Sequence, residues 1–338
     1  MSAGISRIDE VAESVDEPAP RVAAPADVMI RAEGLTKCYP GAVTAVDRVD
    51  LGIGEGEIFG LLGPNGAGKS TTVGMLTTRV VPSSGRVLIG GVDVVADPAA
   101  AKELIGVVPQ ANTLDRGLSV RDNLYFHGRY FGLSRRAART AAGEWLDRFQ
   151  LGHRARAGVE SLSGGMARRL MLARAMLHGP PVVFLDEPTA GLDPQSRIVL
   201  WEAIGELHRG GHTIVLTTNH MEEAERFCDR VAIMDHGRIL ALDHPGELRR
   251  SHGGGAAVTV RAEGEAHLVE AHLRAIPEAL EVTRSDGAVR VRLRGTDSAL
   301  ATVVEAARRG GFRITDLSLC EDSLETVFIN LTGRDLRE

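Results

Sequence analysis

Residues 57–70 read EIFGLLGPNGAGKS, an apolar run that breaks into a glycine-rich loop ending in Lys69 and Ser70. Glu57–Leu62 has the length and composition of a buried strand. The loop fits the spacing G-x-x-x-x-G-K-[ST], in which Gly63, Gly66 and Gly68 let backbone N–H groups turn inward around phosphate oxygens. A helix expected from Lys69 onward would aim its positive end at the same place. Lys69 is then placed to reach the outer phosphates of a nucleoside triphosphate and Ser70 to ligate Mg²⁺, with Pro64, Asn65, Ala67 and Thr71 completing the contact set. Strand, phosphate loop and helix in that order point to an α/β domain.

Outward from this loop, strand-like and helical stretches alternate from Val28 to about Arg250. Expected strands are Val28–Glu33, Glu57–Leu62, Gly106–Pro109, Val182–Leu185, Thr213–Thr218 and Val231–Asp235. Between Ser119 and His178 the pattern is helical, opened by a capping box of Ser119 and Asp122, so residues 119–178 are expected to form a helical subdomain. Residues 1–27, rich in Ala, Pro, Glu and Asp, read as a disordered tail. SHGGG at 251–255 reads as a linker. Beyond it the order β-α-β-β-α-β, with Asp286-Gly287 as a hairpin turn and a last helix at Ser323–Leu331, predicts a small α+β ferredoxin-like domain over 256–332, followed by a tail at 333–338.

Composition narrows the class. The 338 residues carry 39 basic and 45 acidic side chains, a net charge of −6, so no global positive field argues for a nucleic-acid partner. No run approaches the ~20 apolar residues of a membrane span. Cys38, Cys228 and Cys320 stand apart from one another, which suits a reducing compartment. A cytoplasmic protein is expected.

Two further motifs carry chemistry. PPVVFLDEP at 180–188 is an apolar strand ending in adjacent carboxylates, costly unless they face a cation. Asp186 is expected to hold Mg²⁺ and Glu187 to orient or deprotonate the attacking water. SLSGGMARRL at 161–170 offers a second cradle, with Leu162 leading in, Ser163 as helix cap and Gly164 and Gly165 exposing N–H groups. One nucleotide does not need two cradles on one subunit. A homodimer in which each LSGG completes the partner's phosphate-loop site explains both.

With these three motifs in place, the stretch from about Ile30 to Arg250 resembles the ATP-binding cassette (ABC) ATPases. The resemblance implies a P-loop NTPase cassette with a RecA-like core, an antiparallel β subdomain and a helical signature subdomain. It also implies ATP as substrate and Mg²⁺ as cofactor. Tyr39 in LTKCYPG matches the aromatic that stacks on adenine. Gln110 in GVVPQ matches the glutamine that touches Mg²⁺ and the attacking water, and the segment after it resembles the surface that receives a permease's coupling helices. Asp193 in GLDP matches the loop that crosses the dimer interface.

Family members carry a γ-phosphate-sensing histidine after the strand equivalent to Thr213–Thr218, often as Thr-Thr-His-Tyr. Here Asn219 occupies that position and His220 follows it. Because neighbouring residues on an extended strand face opposite ways, the sensor role is expected at Asn219, with hydrolysis resting on Glu187 and slower than in close relatives.

GLLGPNGAGKST, HGRYFGL, LSGGMARRL, CDRVAIMDHGRI and the terminal LETVFINLTGRDL resemble the ATPases of two-component exporters of the daunorubicin/doxorubicin-resistance and nodulation-factor type. The resemblance implies separate integral membrane permease subunits that select a small-molecule substrate, and a location at the inner face of the cell membrane. Two alternatives stay open: an importer ATPase with a regulatory C-terminal domain, and a soluble non-transport ABC ATPase. Asn330-Leu331-Thr332, the Arg135, Arg136 and Arg139 face, and His244 with His252 carry no site of their own.

Overall fold

The computed structural model describes residues 28–41, 43–253, 256–263, 266–285, 288–293, 299–320 and 323–333. The expected tail 1–27, residues 254–255 of the expected linker, the turn pair Asp286-Gly287, Ser298 and residues 334–338 lie outside the described residues.

The chain opens with two long antiparallel strands, β1 (Val28–Tyr39) and β2 (Val43–Gly54). β3 (Ile58–Leu62) and α1 (Lys69–Leu76) follow, separated by the glycine-rich loop. Next come β4 (Ser84–Ile89), β5 (Val92–Asp93), α2 (Pro98–Glu103) and β6 (Ile105–Val108). The first sheet has the order β2-β1-β4-β5 and is antiparallel throughout. β1 runs six residues beyond the expected Glu33, and β2, β4 and β5 have no counterpart among the expected strands. Within β1 a register shift at Gly34, whose φ is 55° and whose N–H bonds Asp50 Oδ1 (2.7 Å), breaks the alternation that marks a strand and accounts for the early stop expected there.

The helical block comprises α3 (Val120–Tyr130), α4 (Arg135–Arg148) and α5 (Gly164–Met176). Serines cap all three: Ser119 accepts from Asp122 N, Ser134 from Ala137 N and Ser163 from Met166 N. Asp122 does not close the reciprocal half of a capping box on the backbone; its carboxylate accepts the Ser119 hydroxyl at 2.6 Å.

The chain then alternates β7 (Val182–Asp186), α6 (Pro194–Arg209), β8 (Thr213–Thr218), α7 (Met221–Phe227) and β9 (Arg230–Asp235), ending in β10 (Arg238–Asp243) and α8 (Pro245–His252). Ser251 and His252, read from sequence as linker, form the last turn of α8. The second sheet has the order β10-β9-β3-β8-β7-β6, parallel except for β10. Its strands are covered on both faces. Phe59, Leu61, Val182 and Phe184 point into a core shared with the antiparallel sheet, whereas Ile58, Leu62, Val183 and Leu185 point into a core shared with the helices. Double coverage is why these strands read as unbroken apolar runs.

The remainder is β11 (Ala256–Ala262), α9 (Ala266–Arg274), β12 (Ala279–Ser285), β13 (Ala288–Leu293), α10 (Ala299–Arg309), β14 (Ile314–Cys320) and α11 (Leu324–Thr332). The sheet order β12-β13-β11-β14, all antiparallel, with α9 and α10 contributing Val269, Leu273 and Val303 to one core, is the ferredoxin-like arrangement. α11 leaves that core. Leu324, Val327 and Phe328 are buried in the same cluster as Met221, Ala224 and Leu248, and Asn330 Nδ2 donates to His252 O at 2.8 Å. The last helix is therefore packed on the half that carries the glycine-rich loop, which the sequence order alone did not disclose.

Candidate functional site

Parallel pairing sets the site at one edge of the second sheet. Leu62 lies opposite Thr218, and Asp186 opposite Thr217, so the phosphate loop, the Asp-Glu pair and Asn219 all leave the carboxyl ends of neighbouring strands. Gly68 caps α1 with φ 104°, and a Cβ there would lie 2.5 Å from Ala45 O, so no side chain is tolerated. Lys69 is 5% exposed. Its ammonium donates to Gly63 O at 2.6 Å and Pro64 O at 3.0 Å, which curls the loop around the cation. Burial lowers the Lys69 pKa, and the carboxylates of Glu187 and Asp186 pull it back up.

Across from the loop, Ser70 Oγ donates to Asp186 Oδ1 at 3.3 Å. The Thr217 hydroxyl donates to the same oxygen at 2.6 Å and accepts from Glu187 N at 2.9 Å, locking the strand end. Glu187 has φ 45°, a left-handed conformation that costs a non-glycine residue about 1–3 kcal/mol. This strained backbone presents the carboxylate to Gln110, whose Nε2 donates to Glu187 Oε2 at 2.7 Å. Gln110 comes from just beyond β6, two strands away from β8, and only the folded sheet brings the pair together.

The donor set fits MgATP. Among the described residues no three His, Cys, Asp or Glu side chains cluster into a metal cage. Mg²⁺ held by one or two protein oxygens together with substrate phosphates needs no such cage, and Ser70 and Asp186 provide that pair. A buried ammonium bound only by loop carbonyls suits a triphosphate acceptor.

Tyr39 ends β1 with 40% of its surface exposed, and Lys37 Nζ lies 5.2 Å from its ring centre. Asn219 and His220 both line a cavity of about 360 Å³ together with Pro64, Asn65, Arg197 and Glu325. β8 stops at Thr218 and His220 is already the N-cap of α7, so strand alternation does not separate the two side chains. That corrects the premise on which they were expected to face opposite ways.

The signature segment stands on the surface at the start of α5. Ser163 and Gly164 are exposed, Leu162 packs on the helical core, and Gly165 is pressed against α6, where an added Cβ would meet Ser196 Oγ at 2.4 Å. Asp193 caps α6 by accepting from Ser196 N at 3.0 Å, and hydrogen bonding from the Ser196 side chain first, then from this backbone N–H, holds its carboxyl below the ordinary range.

Three contributors went unread in the sequence. Glu223, 6% exposed, accepts the Thr189 hydroxyl at 2.6 Å and lies 3.4 Å from Arg197 Nε, tying α7 to the loop after β7. Glu325 reaches the cavity from α11. Arg168 on α5 donates to the backbone around Gln110. Glu223 stands in an acidic helix start that looks like an exposed face, and Arg168 in a basic run that looks solvated; only burial distinguishes them.

A central strand feeding a phosphate loop, an Asp-Glu pair two strands over, a glutamine against that pair and an outward-facing LSGG turn define an ATP-binding-cassette ATPase. Residues 46–190 match the family model described as ABC transporter, and residues 244–332 match that of the ATP-binding protein DrrA1-3-like C-terminal domain. The chain belongs to the ATP-binding proteins of the ABC transporter family. It is 40% identical over 306 residues to the daunorubicin resistance ATP-binding protein DrrA2 of Streptomyces coeruleorubidus, covering 90% of this chain and 95% of that one. It is likewise 40% identical over 319 residues to the Nod factor export ATP-binding protein I of Rhizobium sp. (strain N33), covering 92% and 99%. Among solved structures it resembles the dimeric post-hydrolysis state of the ATP-binding cassette MJ0796 bound to ADP and Pi, with a TM-score of 0.59 and 26% identity over 64% of this chain and 98% of that one. Among the described residues no helix is long and apolar enough to cross a membrane.

Proposed function

We propose that this chain is the motor subunit of a two-component exporter that expels a drug, antibiotic or related amphiphile. In this reading two copies close on two ATP molecules and thereby drive a separate integral membrane permease from the inner face of the cell membrane. The observation that carries the reading is the division of labour within one chain: Lys69, Ser70, Gln110, Asp186 and Glu187 converge, while Ser163 and Gly164 stand exposed at the start of α5. A second copy supplies what the site lacks.

Lys69 and the loop from Gly63 to Thr71 hold the triphosphate, and Tyr39 stacks on the adenine. Ser70, Gln110 and Asp186 are the residues that would hold Mg²⁺, which when bound neutralises phosphate charge. Glu187 takes or orients the proton of the attacking water, kept on target by Thr217 and Gln110. Asn219 senses the outer phosphate with a neutral amide. Leu162, Ser163, Gly164 and Gly165 of the partner subunit close the site, and Asp193 stiffens the loop that crosses between copies. On the outer side of α3, Phe126 and Tyr130 are 52% and 84% exposed, an apolar patch suited to a permease's cytoplasmic helix.

Export as the direction rests on the named relatives, which serve daunorubicin resistance and Nod factor export. Affinity purification from membranes, followed by ATPase assays with and without the co-purified permease, tests the proposal. Recovery of a permease of about six membrane helices that stimulates hydrolysis supports it. A chain that hydrolyses ATP but never leaves the soluble fraction overturns the export reading while sparing the ATPase.

A further inference from the structure

Helix α5 has a second attachment besides its exposed cap. Arg168, 7% exposed, sends Nη1 to Pro109 O at 2.8 Å and Nη2 to Gln110 O at 3.0 Å. Six residues on, Arg174 sends Nη1 to Thr113 O at 2.7 Å and Nη2 to the Thr113 hydroxyl. Two guanidiniums from one helix thus grip the backbone of residues 109–113, the segment that carries Gln110. Burying a cation is costly unless its donors are satisfied, and burial lowers the pKa of both groups. Packing alone would be served better by an apolar side chain. The planar fork of arginine matches two successive carbonyls, which a lysine ammonium cannot span in one geometry.

We propose that Arg168 is a positioning residue for hydrolysis. It holds the Pro109–Gln110 peptide so that Gln110 Nε2 stays against Glu187 Oε2, and it makes α5 a strut between two nucleotide sites. The strut's first turn, Ser163 to Gly165, meets the partner's triphosphate, while Arg168 five residues later steadies the lytic pair of its own chain. Engagement of the cap by one nucleotide is thereby passed to the glutamine beside the other. The second half of this statement rests on the proposed in-trans role of Ser163; the clamp on Gln110 does not.

The test is a mutant cycle on the full chain with Arg168→Met, Gln110→Ala and the double variant. R168M is expected to lower kcat about 10- to 100-fold, the usual cost of losing a group that orients a catalytic one, with KM for ATP and Tm little changed. Added to Q110A it should cost nothing more, because the clamp acts through that residue. Without nucleotide, amides of residues 110–113 should exchange hydrogen faster in R168M while those of α1 do not. Arg168→Lys, keeping the charge and one carbonyl, should recover part of kcat, and it carries the same measurements if R168M does not fold. Additive losses in the double variant, or unchanged exchange at 110–113, overturn the clamp. If Ser163→Ala leaves turnover intact while the cycle holds, the strut between sites is overturned and the clamp stands. An inactive wild type counts against the proposed function instead, and hydrogen exchange still decides the clamp.

Discussion

At the scale of single residues the unusual choice is Asn219. An amide donates to a phosphate oxygen but cannot become a cation, so it gives a weaker electrostatic hold than a protonated histidine. His220, beside it at the same cavity, is the natural rival. Asn219→His is expected to raise kcat several-fold, and His220→Ala to leave it within twofold, the range of ordinary surface changes. Steady-state phosphate release decides between them; collapse of turnover in His220→Ala, with Asn219→His silent, moves the sensor to His220. The identity of the phosphate-loop residues was readable from spacing, because G-x-x-x-x-G-K-S encodes a backbone shape. The Thr217 hydroxyl that locks Asp186 and Glu187 was not, since a threonine in a β-branched run looks like any other strand residue.

At the scale of elements, a half-buried histidine pair sits on α3 and just past the end of α5. Phe131 stacks on His178 with ring centres 3.9 Å apart, and His127 lies 5.0 Å from Phe131. Burial, with smaller contributions from Arg174 and His178, takes His127 from its ordinary 6.5 down to about 4. The folded chain therefore stays unprotonated there while the unfolded chain binds a proton, so stability falls as pH drops from 6.5 toward 4. His178 is shifted the same way, chiefly by burial. Thermal midpoints recorded across that window should fall less steeply in His127→Gln than in the wild type; parallel slopes would remove His127 as a contributor. The other informative element is α11. Phe328, 2% exposed, sits against the core that contains Met221, so Phe328→Ala is expected to cost about 3–5 kcal/mol in urea unfolding. A change below ~1 kcal/mol, typical of surface sites, would mean that α11 is not anchored on the cassette.

At the scale of the whole molecule, the proposed function makes this site half of a site. In the proposed sandwich the exposed LSGG turn of a second copy completes the triphosphate cradle, and Glu187→Gln isolates that step. This variant keeps the loop, Lys69 and Asp186 but loses the proposed base, a loss worth about 10²–10⁴ in rate. With saturating MgATP it should sediment as a dimer and without nucleotide as a monomer. A species that stays monomeric under both conditions, in solution and with its permease, would falsify the sandwich.

From its sequence alone this chain determined the α/β class, the phosphate loop, the Asp186-Glu187 pair and the signature turn. Each is a local constraint: a loop that only glycine can form, a buried strand that ends in charge, a serine that caps a helix. Tertiary structure alone decided which of those pieces meet. Gln110 reaches Glu187 across 77 residues of chain, Arg168 reaches Gln110 across 58, and α11 returns from beyond the ferredoxin-like sheet to the core under α7. Contacts between distant segments are selected by packing and sheet order, and the apolar pattern that burial leaves on a segment does not say which distant segment it will meet.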